Sequence, residues 1–329
     1  MAERRAMPPE MDELQQLRVH AAASLDWLTD NIERFSPLAG APIGFGIKAF
    51  AELAYLHGYL EQWQHQASGE LSALGRHLST WRAFIVSACE NPAYAEMARK
   101  QPSVGFHILI PYLMLRTQGY RSAQYEETLA LLNCWARLGT GELLPYRRLE
   151  RSQLLWKSGF LSREPNWLQL YRQTALGQGL RLTYSDIDLA YAVTHTLFYL
   201  MDMGNRPAPL DARSAARAAA VAECLLVHYW RLGNWDLVGE LLINLNCMGR
   251  LDSFLYAGAV KAFRAAWRKS GAVPAGKRYT ARLRSSRHGR QSERAFKVCY
   301  HTTLVGVFYC FTALNEMTRH GTRNSLPLS

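Results

Sequence analysis

The chain has no apolar stretch of the roughly 18 residues that would cross a bilayer as a helix. The nearest, Val298 to Leu314, is interrupted by His301 and several threonines. Its first residues, Met1 to Glu13, are charged and contain proline, with no apolar segment ahead of a small-residue cleavage site. No membrane partner is expected, and a cytoplasmic location is the default. Strict alternation of apolar and polar residues is missing over any useful length, which argues against a sheet. Neither G-x-x-x-x-G-K-S/T nor a strand-bound G-x-G-x-x-G occurs, so no nucleotide-phosphate loop is expected, and Gly44–Phe45–Gly46 reads as a plain turn. G-x-S-x-G is missing too, which excludes an α/β-hydrolase. Without His-x-x-x-His or Glu-x-x-His, the ferritin-like di-iron pattern is excluded.

Cysteines are few and scattered. Cys89, Cys134, Cys224, Cys247, Cys299 and Cys310 never form Cys-x-x-Cys, so they read as reduced thiols rather than a disulfide framework or zinc finger. Acids are nearly missing from one segment. Between Arg268 and Lys297, ten lysines and arginines face Glu293 alone, and this accounts for most of the formal +11 of the chain. The segment, with Arg282, Arg284, Arg287, His288 and Arg290 among serine and glycine, is expected to be a basic loop or lid. It suits an acidic or phosphate-bearing partner. Nucleic acid is disfavoured, because the charge is local and lacks interleaved stacking aromatics.

What is present is helical period. Leu14, Leu17, Ala21, Leu25, Leu28 and Ile32 recur at spacings of three and four, the stripe of an amphipathic helix. Further helices are expected over 47–64, 70–89, 106–115 (with Pro111 inside), 125–138, 144–156, 165–176, 185–203, 212–232, 235–248, 253–269 and 296–317. Gly204–Asn205 ends one of them, and Asp211 and Asp252 are expected N-caps. Short Gly, Asn and Asp turns between helices imply antiparallel hairpins. The expected architecture is therefore all-α: helical hairpins arranged as an α/α-toroid, with an open α-solenoid as the alternative. Residues 1–329 are expected to form a single helical domain with a less regular N-terminal half, 1–160. With 49% hydrophobic residues, nine Trp and sixteen Tyr, the chain can bury a large core or line an aromatic cavity.

Three polar stripes on otherwise apolar helices carry candidate chemistry. Asp236, Glu240, Asn244 and Cys247 stand at i, i+4, i+8 and i+11, on one face of a helix whose other positions are nearly all apolar. Two carboxylates a turn apart repel unless a cation lies between them, which is how acid/base and metal sites are built. A bland reading assigns the acids to the positive helix start, but it leaves Asn244 and Cys247 unexplained. Asp188, Tyr191, His195, Tyr199 and Asp202 form a second stripe, with Thr194 and Thr196 flanking His195. The third is Tyr300–His301–Thr302–Thr303 at the start of the last helix; Thr303 could equally bond back to its own helix. His107, and Lys48 with Glu52, Tyr55 and Tyr59, are weaker candidates; Lys48 and Glu52 read as an ordinary ion pair.

Thr194–His195–Thr196–Leu197–Phe198–Tyr199, Trp235–Asp236–Leu237–Val238–Gly239–Glu240 and Tyr300–His301–Thr302–Thr303 together resemble an uncharacterised family of helical bacterial proteins found beside natural-product genes. The resemblance covers roughly residues 180–315 and implies no established reaction. The hairpin series also resembles the α/α-toroids of terpenoid cyclases, lanthionine cyclases and glycan-processing enzymes. The zinc-binding Cys and Cys-His pattern of lanthionine cyclases is absent here.

The expected function is a cofactor-independent acid–base enzyme, an isomerase, epimerase or cyclase, acting on a small molecule or peptide in secondary metabolism. His195, Asp236, Glu240 and Cys247 are its catalytic candidates. His301, Asn244, Thr194, Tyr199, Asp188 and Thr303 are its substrate-binding candidates. One alternative is a metal-dependent enzyme in which His195, His301, Asp236 and Glu240 hold a divalent ion. Another is a non-catalytic helical-repeat scaffold that binds a peptide.

Overall fold

In the computed structural model the described residues are 9–38, 43–66, 72–100, 105–134, 142–279 and 288–324. Among them the chain is all-helical: no strand occurs, only an isolated antiparallel bridge between Asn234 and Gly276. No described helix is long and apolar enough to cross a membrane. The helices are α1 (Pro9–Asp30), α2 (Ile43–Gln66), α3 (Ser72–Glu90), α4 (Pro92–Lys100), α5 (Gly105–Thr117), α6 (Ala123–Cys134), α7 (Pro145–Lys157), α8 (Trp167–Gln173), α9 (Ile187–Met201), α10 (Ala212–Leu232), α11 (Trp235–Cys247), α12 (Phe254–Arg264) and α13 (His288–Asn324). Three short 3-10 turns interleave them.

The chain divides into two compact units. One comprises residues 1–28, 203–207 and 219–329, the other residues 29–202 and 208–218. In the second unit α2 packs along α5, and α7 packs on α8 and α9. Trp81, Tyr94, Tyr112, Tyr125 and Phe50 fill its core. The buried tyrosines keep their hydroxyls paired: Tyr94 donates to the Ile108 carbonyl at 2.8 Å and Tyr125 to that of Cys89 at 3.0 Å. Pro111 lies inside α5, as its sequence implies.

The first unit is organised around α11 against α13. Every residue from Trp235 to Asn246 is buried, so α11 is a core helix on all sides. Asn234 starts it, its side chain accepting the Leu237 N–H at 3.2 Å. Gly239 sits where α11 crosses its neighbours: a Cβ there would lie 2.6 Å from Val305 Cγ1 and 2.7 Å from Phe263 Cζ. A strap after α12 folds over the start of α11, with the Trp235 N–H donating to the Ala275 carbonyl at 3.0 Å. The strap passes under α1 at Gly271, where the Ser24 hydroxyl donates to the Gly271 carbonyl. Gly271 has φ +85°, and a Cβ would come 1.9 Å from the Ala23 carbonyl, so only glycine fits.

Several boundaries differ from those the sequence implies. Ser253, not Asp252, caps α12, accepting the Tyr256 N–H at 3.0 Å, and the helix ends at Arg264 rather than near 269. The last helix starts at His288 and runs to Asn324, so the end of the basic segment, 288–297, is helical, while 280–287 lie outside the described residues. Its side chains at Arg282, Arg284, Arg287, His288 and Arg290 lie outside the described residues. The helix α9 ends at Met201, before Gly204–Asn205. Asp202 and Met203 are both left-handed, at φ 49° and 51°, a conformation that disfavours residues with a Cβ. Asp202 is held there by three partners: Tyr59 donates to its carboxylate at 2.7 Å, Gln153 at 2.7 Å and Lys157 at 2.8 Å.

Gly239→Ala should lower stability by about 1–3 kcal/mol, because overpacking outweighs the better helix propensity of alanine; a urea midpoint at or above wild type would contradict the close crossing. His57 is 1% exposed, with its Nε2 3.2 Å from the Leu78 carbonyl. Burial pushes its pKa down to about 4, against the raising effect of that carbonyl and with help from Arg82. The folded state therefore resists protonation that the unfolded chain accepts near pH 6.5. The His57 contribution is complete above that pH and is lost as pH falls from about 6.5 to 4. His57→Gln should flatten this part of the stability profile, measured by denaturant titration at each pH.

Candidate metal centre

The stripe on α11 meets the last helix. α11 supplies Asp236 in its first turn and Glu240 one turn on, and α13 supplies His301. His301 Nε2 lies 3.4 Å from Asp236 Oδ2 and 3.5 Å from Glu240 Oε1. One ligand atom from each of the three residues lies within 4.8 Å of the others. Asp236 is 5% and Glu240 1% exposed, whereas the His301 side chain is 24% exposed and forms the accessible side of the group. Thr302, next to His301, donates to Asp236 Oδ1 at 2.7 Å, which fixes that carboxylate and leaves Oδ2 toward the imidazole.

The spacing is informative. N–H to oxygen hydrogen bonds run to roughly 3.2 Å, and both His301 distances exceed that. Oxygen and nitrogen ligands at about 2.0–2.2 Å from a tetrahedral ion stand about 3.3–3.6 Å apart. Separations of 3.4 and 3.5 Å match that ligand spacing, and they also suit direct ion pairs of a charged imidazole with the two carboxylates. Two buried carboxylates and an imidazole are a hard-to-borderline donor set, suited to zinc, manganese or ferrous iron. Such a trio also leaves coordination positions open.

The other residues singled out from the sequence are not among these three ligands. Asn244, fully buried, is on the same face of α11 one turn after Glu240. Cys247 is half-buried at the end of that helix, with its Sγ beside Gly204. Thr303 binds structurally: it donates to the Cys299 carbonyl at 2.7 Å and accepts the Val273 N–H of the strap at 2.9 Å. His195 belongs to the other compact unit. Its Nδ1 lies 2.9 Å from the Tyr191 carbonyl and its ring is flanked by Tyr146, Tyr191, Phe198 and Tyr199. Thr194 donates to the Tyr191 carbonyl, and Asp188 is exposed at the start of α9. Tyr199 donates to Glu150 Oε1 at 2.8 Å.

Glu150 is a residue that reading the sequence passed over. It is 2% exposed and also accepts from Tyr55 at 3.2 Å and from Arg147 at 2.8 Å. Burial opposes its charge, but Arg147 and the hydrogen bonds outweigh burial and hold the carboxyl below the usual range. Glu150, Gln153 and Lys157 form an i, i+3, i+7 stripe on α7, the signal that could have found them.

A family model described as "Domain of unknown function (DUF6895)" matches residues 21–311. The chain belongs to this family. No curated protein and no solved structure matches it. The match spans both compact units and includes Asp236, Glu240 and His301.

Replacing Glu150 by Gln should destabilise the fold by about 2 kcal/mol or more, since Arg147 loses its charged partner in a buried setting. A urea midpoint unchanged from wild type would mean that the pair contributes nothing net.

Proposed function

We propose that this protein is a metal-dependent enzyme whose divalent ion is held by Asp236, Glu240 and His301. The observation that carries the reading is the approach of His301 Nε2 to both carboxylates at 3.4 and 3.5 Å, with all three ligand atoms within 4.8 Å. Protein side chains supply three ligands, and substrate or water would take the open positions, where an ion acts as a Lewis acid on a bound oxygen. His301 is the ligand nearest solvent, so a small molecule reaches the centre past its ring. A small-molecule or peptide substrate of secondary metabolism fits this reading, in line with the resemblance noted from the sequence.

A second reading, acid–base catalysis without an ion, is favoured by the His195 geometry. In the tautomer whose Nδ1–H donates to the Tyr191 carbonyl at 2.9 Å, Nε2 is left as the acceptor of the ring. In the metal reading His195 has no ligand role.

The metal reading is tested by titrating chelator-treated protein with Mn²⁺ or Zn²⁺ and following heat or free-ion concentration. One ion per chain is expected, with affinity at least about tenfold weaker in His301→Ala and in Glu240→Gln, since each removes one of only three protein ligands. Wild-type binding that both variants retain would contradict the assignment. Stoichiometric activity in ion-free protein would favour the second reading.

A further inference from the structure

Asn244 is 0% exposed, and among the described residues neither its Oδ1 nor its Nδ2 has a hydrogen-bond partner. Asn246, two residues later on the same helix and equally buried, sets the contrast. Its carboxamide lies within hydrogen-bonding distance of the Tyr256 and Thr312 hydroxyls and the Leu242 carbonyl. A core carboxamide with both ends unpaired is strongly destabilising, and leucine, already present at 241, 242 and 245, would fill the position without that penalty. Asn244 shares the helix face of Asp236 and Glu240, at i+8 and i+4 from them.

The helix rise fixes what Asn244 can reach. At 1.5 Å per residue it stands about 6 Å beyond Glu240 and about 12 Å beyond Asp236 along α11. An ion bonded at about 2 Å to Asp236, Glu240 and His301 is too far away to take Asn244 as a fourth ligand. A group of two or three atoms on an open position of the ion spans the gap. Asn244 offers a donor and an acceptor side by side, so the group that satisfies both must present an acceptor next to a donor. A carbonyl oxygen has two lone pairs. One can bind the ion while the other accepts from Asn244 Nδ2, and an adjacent N–H can donate to Asn244 Oδ1. A carboxylate has no such N–H and would set its negative charge against Oδ1.

From this, and resting on the metal reading above, we infer that the centre takes a small ligand with a primary carboxamide or cis-amide group. Its carbonyl oxygen binds the ion, and the amide edge pairs with Asn244, which is a positioning and specificity residue.

The test uses full-length protein loaded with Mn²⁺ and reads the relaxation enhancement of the methyl protons of propionamide, with propionate as the matched acid. Wild type should enhance propionamide relaxation several-fold more than that of propionate. Asn244→Leu should keep its Mn²⁺, judged by loss of the free-ion electron paramagnetic resonance signal, and show a urea midpoint at or above wild type. Its propionamide affinity should fall about tenfold or more, as when a site loses a hydrogen-bonding pair. Asn244→Ala gives the same ligand readout if the leucine variant does not fold. Equal enhancement by the two probes, or propionamide binding retained in the variants, overturns the inference; the second result is expected if Asn244 only holds a buried water. If wild type leaves the free Mn²⁺ signal undiminished, the metal reading fails, and this inference fails with it before any amide is added.

Discussion

One imidazole set between two buried carboxylates is the constraint on which the rest of this account depends. Asp236 and Glu240 are a turn apart on a buried helix, so little water reaches their carboxylates. A positive group at that point favours the charged carboxylates, and in the metal reading a divalent ion held with the help of His301 supplies it. The fold is arranged to keep that meeting point fixed. Gly239 lets α11 and α13 approach closely, Thr302 locks one carboxylate, and Thr303 ties α13 to the strap that covers the start of α11. Removing any of these would loosen the centre before changing its chemistry.

The other compact unit treats buried charge differently. There Glu150 is surrounded by Arg147 and two tyrosine hydroxyls, and Asp202 by Lys157, Gln153 and Tyr59. Both carboxylates are paired by the chain itself, in the manner of a structural network that fixes one packing arrangement. On α11 it is the carboxamide of Asn244 that stands apart from such pairing, with both ends of its amide to give.

The polar stripe of α11 was readable in advance, because i, i+4 and i+8 spacing on an apolar helix is a local property. The convergence of His301 was not, since it depends on how α13 crosses α11, more than 50 residues later in the chain. Glu150 was missed for a related reason. Its helix, with Arg147, Arg148 and Arg151 around it, looks like an ordinary solvated face, and its partners at Tyr55 and Tyr199 lie 95 and 49 residues away. The early end of α9 was also hidden. Glycine at 204 is the obvious stop, but the side chain of Asp202, tied to three partners, turns the backbone two residues sooner.

The most direct test of the central claim is X-ray absorption spectroscopy at the zinc edge of zinc-loaded protein. An ion held by Asp236, Glu240 and His301 gives a first shell of oxygen and nitrogen at about 2.0–2.1 Å, with the outer-shell scattering of a single imidazole that disappears in His301→Ala. A shell dominated by sulfur at about 2.3 Å, or an imidazole signature that survives the loss of His301, would contradict it.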